Sequence, residues 1–270
     1  MVRYQVILVY DGTQFYGFQR QGRRARTVQS VVEAALQQIG WQGQSILAAG
    51  RTDTGVHASG QVIAFDLEWR HGEEALLKAL NAHLPCDVAA RQACIAPSTF
   101  HPRFDALRRQ YRYTILCAPM RNPLLERYCW RVWPALNLSD LQQAAAALVG
   151  AHDFAAFGAP PKAGGSTLRT VYRAEWQQQA EQLIFEVEAS AFLYRMVRRM
   201  VYLQVAVAQQ RIGWMAIAQS LSNPRAAEVA SAPGLALPNG LTLVGVSYLP
   251  GLRSPLRERS LRNLEDDEVE

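Results

Sequence analysis

One acidic residue, Asp53, stands in a thirteen-residue stretch made mostly of small, polar and basic side chains: Gly50-Arg51-Thr52-Asp53-Thr54-Gly55-Val56-His57-Ala58-Ser59-Gly60-Gln61-Val62. Its glycines, at 50, 55 and 60, permit unusual backbone angles and close approach by a ligand. Arg51 lies two residues before the acid. If both side chains enter one cleft, the guanidinium would keep Asp53 a carboxylate. An oriented carboxylate serves as nucleophile or base. Two other readings compete. An Asp in a glycine-rich turn commonly bonds local backbone amides. Asp53-Thr54-Gly55 is also the triplet of aspartic proteases, whose chemistry needs two such carboxylates sharing a proton. The chain has no second Asp-Thr-Gly, and an arginine beside a dyad would disturb the shared proton.

The flanking elements must position this segment. Residues 4–10 (YQVILVY), 45–49 (SILAA) and 61–67 (QVIAFDL) read as strands, with Gly50 to Gly60 a loop between the last two. Thr27 is placed to cap a helix to about Ile39 with Val28, Val31, Ala35, Leu36 and Ile39 on one face, and Gly40 ends it. A second helix is expected over Glu73–Ala82 and a strand over 87–95. The pattern then repeats: a strand at 110–117, a helix capped by Ser139 running to Val149, a hairpin from 168–177 and 182–189, a long helix from Phe192 to Arg211, and a last strand at 241–248. Two related α+β units side by side are therefore expected, about 1–104 and 105–250. Residues 158–167 (GAPPKAGGST) read as a mobile surface loop, and 251–270, arginine-rich then acidic, as a disordered tail.

The 270 residues are 49% hydrophobic and 19% charged, enough for a real core and unlike a disordered chain. The net charge is +5; setting aside the four arginines and six acids of the last twenty residues leaves a body of +7. Only two of the 28 basic residues are lysines, so the charge is carried by guanidinium groups suited to bidentate phosphate contacts. A polyanionic partner is consistent with this balance. Cysteines at 86, 94, 117 and 129 have no CxxC spacing, and His57, His101 and His152 form no metal triplet by spacing, so turn or capping roles are expected of the histidines. The opening MVRYQVILVYD reads as a strand rather than a signal peptide, and the apolar stretch 191–210 is broken by Arg195, Arg198 and Arg199. No membrane span and a cytoplasmic location are expected.

The segment around Asp53 resembles the signature of the TruA-type tRNA pseudouridine synthases. Further blocks resemble the same family in order along the chain: Asp11-Gly12-Thr13 with Phe15 to Gln21 and Thr27-Val28-Gln29; Ser98 to Phe104 with Arg109 to Tyr113; Gly150 to Phe154; Ala191 to Arg198; and Gly240 to Leu243. The run Ala236-Leu237-Pro238-Asn239 departs from the family's more usual two prolines and loosens the placement of Leu241. The resemblance implies a fold of two ferredoxin-like halves joined into one mixed, mostly antiparallel sheet, with the active-site cleft between them. It implies isomerisation of uridine to pseudouridine at positions 38, 39 and 40 of the tRNA anticodon stem-loop, without cofactor or metal, by a homodimer.

Carried onto this chain, the resemblance gives Asp53 the essential carboxylate role and Tyr111 a place stacked on the uracil. Arg198 would pair with Asp53, Leu241 would wall the base, and Arg51 would hold the flipped nucleotide. Taken alone, Tyr111 is a half-buried strand tyrosine, Arg198 one arginine among several on its helix, and Leu241 a core residue. For the RNA backbone, two patches are candidates: the run Arg20, Arg23, Arg24 and Arg26, and a second set of Arg103, Arg108, Arg109 and Arg112. A non-catalytic RNA-binding protein is the rival reading.

Overall fold

The computed structural model describes residues 1–22, 25–224 and 233–250. Arg23, Arg24 and the expected tail, 251–270, lie outside the described residues. The first unit runs β1 (Val2–Tyr10), α1 (Val28–Gln38), β2 (Leu47–Ala48), β3 (His57–Leu67), α2 (Gly72–His83) and β4 (Val88–Ile95). The second runs β5 (Arg108–Leu116), β6 (Trp130–Arg131), α3 (Leu138–Ala146), β7 (Gly150–Asp153), β8 (Leu168–Gln179), β9 (Gln182–Ala189), α4 (Met196–Ala208), α5 (Ala216–Ser222) and β10 (Leu241–Ser247).

All the described strands join one sheet in the order β4-β1-β3-β10-β5-β9-β8-β7, with β2 beside β3 and β6 beside β5. Within the first unit the order is β4-β1-β3-β2, and within the second β10-β5-β9-β8, every pair antiparallel. These are the same ferredoxin-like arrangement twice. The units join where β10 runs parallel to β3, Thr242 opposite His57 and Leu243 opposite Ala58. The second parallel pair, β5 with β6, makes the sheet mixed but mostly antiparallel.

Each unit packs its helices on its own apolar cluster. Val28, Val32, Leu36, Leu76 and Leu80 meet Val6, Leu8, Ile63 and Phe65 in the first. Leu141, Ala145, Met200, Val201 and Val205 meet Trp176, Phe185 and Val187 in the second. Burying a side chain of this size contributes about 1.5–3 kcal/mol. Strand β10 serves both clusters: Leu241 belongs to the second and Leu243 to the first. Among the described residues no helix is long and apolar enough to cross a membrane.

Several boundaries differ from the sequence reading, each for a local reason. Helix α1 starts at its expected cap: Thr27 and Ser30 exchange side-chain and backbone bonds in a capping box, and Gly40 lies past its end at φ +92°. Helix α3 is capped not by Ser139 but by Asn137, whose side chain accepts the Ser139 and Asp140 amides, and it ends at Ala146. Gly150, expected as a helix stop, opens β7 at φ +121°. Helix α4 starts at Met196, not Phe192, because Arg195 takes a left-handed conformation, φ 62° and ψ 10°, that breaks the turn before it. Strand β3 starts at His57 rather than Gln61, so the loop carrying Asp53 is shorter than expected. A Cβ on Gly60 would lie 2.1 Å from the Val244 carbonyl oxygen, so this crossing of β3 and β10 admits only glycine.

Candidate active site

A cavity of about 660 Å3 opens where the units meet. The loop before β3 supplies Gly50, Arg51, Thr52 and Asp53 to its wall, β5 supplies Arg109 and Tyr111, the start of α4 supplies Arg198, and β10 supplies Leu241. Position in the fold explains this convergence. The carboxylate loop ends where β3 meets β10, and β10 in turn borders β5, with Leu243 facing Tyr111 in register. Tyr111 packs against both apolar clusters and so sits on the seam.

The loop backbone is pinned along its length. The Gly50 carbonyl accepts from Gln61 Nε2 at 2.9 Å, the Thr52 carbonyl accepts from the Phe18 amide at 3.0 Å, and the Thr52 hydroxyl pairs with the buried Tyr10 hydroxyl at 2.8 Å. Burial raises the Tyr10 pKa, so that phenol stays neutral. Gly17, at φ +84°, lets its own backbone approach: a Cβ there would stand 2.9 Å from the Thr52 carbonyl. Farther on, the Val56 amide donates to the Asp53 carbonyl, and His57 Nδ1 accepts from the Gly12 amide at 3.0 Å while its Nε2 donates to the Asn239 carbonyl at 3.1 Å. Those partners fix a neutral ring, and burial lowers the His57 pKa against the opposing pull of Asp11. His101 has the expected turn role, its Nδ1 accepting from the Arg103 amide.

The side chain of Asp53 makes a different set of contacts from its backbone. Its Oδ2 accepts from Arg198 Nη1 at 3.1 Å, with the two side chains 19% and 13% exposed. No local amide binds that carboxylate among the described residues, which corrects the turn reading. A guanidinium faces it, the neighbour that would disturb a shared proton, which counts against the protease reading. The ion pair is also made by Arg198 and not by Arg51, which is exposed on the cavity wall. Arg198 is itself held: its Nε donates to the Ala236 carbonyl at 2.8 Å, and its own carbonyl accepts from the Ala236 amide at 3.2 Å. The Tyr111 ring stands edge-on to Phe192 at 5.1 Å, and burial, with the nearby Asp53 charge, pushes its phenol up to about 12. Leu241 is buried, and the Gly240 before it has no room for a Cβ because the Tyr113 ring is 2.7 Å away.

The candidate arginines divide. Arg103 lines the cavity and is exposed. Arg109 also lines it, but its guanidinium donates to the carbonyls of Ala49, Arg103 and Ser190, tying the entrance of the Asp53 loop to both units; burial lowers its pKa. Arg20 and Arg26 lie outside the cavity lining. Arg20 pairs with Glu33 at 2.8 Å, and Arg26 makes a bidentate pair with Asp87 and covers the Phe15 ring at 4.1 Å. Arg108 and Arg112 pair with Glu188 and Glu186 of the neighbouring strand. Sequence reasoning did not single out Phe104, Arg169, Phe192, Tyr194 or Arg195 as site residues, yet all line the cavity. Ala159, Pro160 and Pro161 of the stretch read as a surface loop line it as well, where Ala159 bridges to Tyr194.

Comparison with known proteins gives the chain its family. A family model described as tRNA pseudouridine synthase matches residues 6–105 and 144–249. A protein named tRNA pseudouridine synthase A from Neisseria meningitidis serogroup B is 39% identical over 249 residues, 91% of this chain and 92% of that protein. Its namesakes from Neisseria gonorrhoeae strain NCCP11945 and from Pseudothermotoga lettingae are 38% and 42% identical, covering 92% and 74% of this chain and 92% and 82% of theirs. The chain belongs to the tRNA pseudouridine synthase family. It is thus an isomerase of tRNA uridine.

Proposed function

We propose that this chain converts uridine to pseudouridine at positions 38, 39 and 40 of the tRNA anticodon stem-loop, with Asp53 as the essential carboxylate. One observation carries the reading: Asp53 presents its carboxylate to a cavity of about 660 Å3, held by Arg198 at 3.1 Å and bordered by Tyr111 and Leu241. In the reaction the bond from ribose C1′ to uracil N1 breaks, a bond from C1′ to C5 forms, and the C5 proton is lost while N1 regains one. Nothing is oxidised or reduced and no atom is added, so the chemistry calls for no cofactor or metal. A carboxylate beside C1′ can add to the sugar or take a proton from it. Tyr111 stacks on the uracil, Leu241 walls it, and Arg198 keeps the carboxylate aimed. Arg51, exposed on the wall, holds the flipped nucleotide and Arg103, also exposed there, holds phosphate, with Arg20 a more distant contributor; Arg109 and Arg26 serve the fold, through three backbone carbonyls and through Asp87.

The target base must leave its helix to reach Asp53, at an unstacking cost of a few kcal/mol. The enzyme works in the cytoplasm as a homodimer whose two subunits share one tRNA, and each chain divides near 104/105. The test is Asp53→Asn on a tRNA transcript. Pseudouridine formation is expected to fall roughly 10^4-fold or more while tRNA binding persists. Full activity in that variant overturns the role of Asp53. Product at other tRNA positions overturns the assignment to 38–40.

A further inference from the structure

Two large aromatic side chains of the cavity lining remain mostly exposed: Phe104, at 74%, from the segment after β4, and Tyr194, at 54%, from the segment before α4. Each carries a guanidinium beside its ring. Arg103 lies 5.8 Å from the Phe104 centroid and Arg195 lies 4.7 Å from that of Tyr194. His101 further braces the Phe104 ring at 4.2 Å. Each unit thus contributes one arginine-flanked aromatic plane to the wall of the same cavity.

The backbone beneath Tyr194 is built with unusual care. Three non-glycine residues among those described have positive φ: Ala180, Arg195 and Gln210. Ala180 lies in the tight β8–β9 turn and Gln210 just past the end of α4, ordinary places for a left-handed residue. Arg195 instead precedes a helix, where extended angles are the rule. Its conformation is held from outside. The Tyr194 amide donates to the Ala159 carbonyl at 2.9 Å, and Gly158 packs so closely that a Cβ would stand 2.5 Å from the Tyr194 carbonyl. A strained, doubly pinned backbone that presents an exposed aromatic ring points to a ligand outside the protein.

Aromatic planes flanked by cations suit nucleobases and their phosphates. When a uridine swings out of its stack, the bases on either side lose a stacking partner. We infer that Phe104 and Tyr194 are platforms on which the nucleobases adjoining the flipped uridine stack, with Arg103 and Arg195 on the adjoining phosphates. This inference rests on the proposed reading of the cavity as an RNA site. The platforms replace the stacking that the RNA gives up, and so act on binding and base extrusion more than on the bond rearrangement.

The experiment uses the full chain and an anticodon stem-loop RNA with 2-aminopurine on the 5′ or 3′ side of the target uridine. Bound to the unaltered protein, the probe stays quenched. Bound to Phe104→Ala or Tyr194→Ala, it brightens severalfold, KM rises about tenfold and kcat changes less than about threefold, as a stacking contact predicts. Tyr194→Phe restores the quench. Unchanged fluorescence and KM in both alanine variants overturn the inference. A second measurement needs no variant: 5-iodouridine at the flanking positions, irradiated in complex with the unaltered protein, should cross-link to the peptides holding Phe104 or Tyr194, and cross-links found only elsewhere overturn it. Cross-links at these residues without pseudouridine formation defeat the proposed reaction and leave the platforms standing. Failure to bind the stem-loop defeats both.

Discussion

The two units follow one strand order and differ most at its last place. In the first unit that place is held by β2, two residues long; in the second by β8, twelve residues long and extended sideways by β7. A full-length neighbour covers the whole flank of the strand beside it. A two-residue neighbour covers only Ile63 and Ala64 of β3, and leaves its first residues to pair with β10. The stubby strand therefore does two things at once: it frees the flank that joins the units, and it lets the chain leave the sheet early in the loop that holds Asp53. The complete unit supplies what that loop lacks, a rigid strand bearing Tyr111 and a helix bearing Arg198. The lesson is that a duplicated fold gains a site by being finished on one side and left open on the other.

That contrast can be broken at the pair that spans it. Arg198→Leu removes the second unit's hold on Asp53 and is expected to lower kcat about 10²–10³-fold with a smaller change in KM, the size seen when one preorganised charge is lost. Steady-state kinetics on a tRNA transcript would show it, and a pure KM effect would reassign Arg198 to ground-state binding. The junction comes next. Gly60→Val drives a side chain into the Val244 carbonyl and should destabilise by about 3 kcal/mol. That corresponds to about 6–12 °C in Tm, with activity lost in step. Gly245→Ala, on the facing strand β10 where a Cβ meets nothing within 4 Å, is the control and should leave Tm almost unchanged. Equal effects from both would deny that the crossing is tight.

Smaller effects sharpen the picture. Arg26→Ala breaks a partly exposed pair with Asp87 and a ring contact in the first unit, at a cost of about 1 kcal/mol. Calorimetry would register it as a small fall in Tm, and a tenfold loss of tRNA affinity would instead return Arg26 to the RNA surface. Last is a pH effect. Burial holds the folded His57 pKa below its ordinary value, so the unfolded chain binds more protons as pH drops past about 6.5. Stability from this group is complete above that pH and declines on acidification. Asp11 adds nothing in this window, because its carboxyl, which burial pushes up but the Thr13 hydroxyl and amide outweigh, lies at about 2. Tm should fall between pH 7 and pH 5, and His57→Gln should flatten the slope; an unaltered slope would locate the titrating group elsewhere.

Much of the fold was legible because its signals are local. β-Branched and aromatic residues marked β1, alternation marked β5, and the Thr27 cap with Gly40 bounded α1. Signals failed where a distant partner decides the structure. His57-Ala58-Ser59-Gly60 has no strand pattern of its own and becomes a strand because Tyr10 of β1 pairs with Ala58 on one flank and β10, almost two hundred residues away, runs beside it on the other. The late start of α4 follows from the clamp of Ala159 on Tyr194, which no spacing reveals. For the site, Asp53 stood out by its glycines and by family resemblance. The task of Arg109, three bonds to backbone carbonyls from separate segments, could not be told from that of a phosphate-binding arginine in sequence, since both demand the same donors.

The placement of β10 has a consequence for synthesis. It is the last described strand, yet it lies in the middle of the sheet and contributes to both apolar clusters. Synthesis must reach Leu241 before the two halves can close on each other through β10. Until then the cavity beside Asp53 lacks the wall that Leu241 supplies, so a chain cut before β10 is expected to form no pseudouridine on a tRNA transcript. The seam between the halves thus cannot form until synthesis has passed the last described strand.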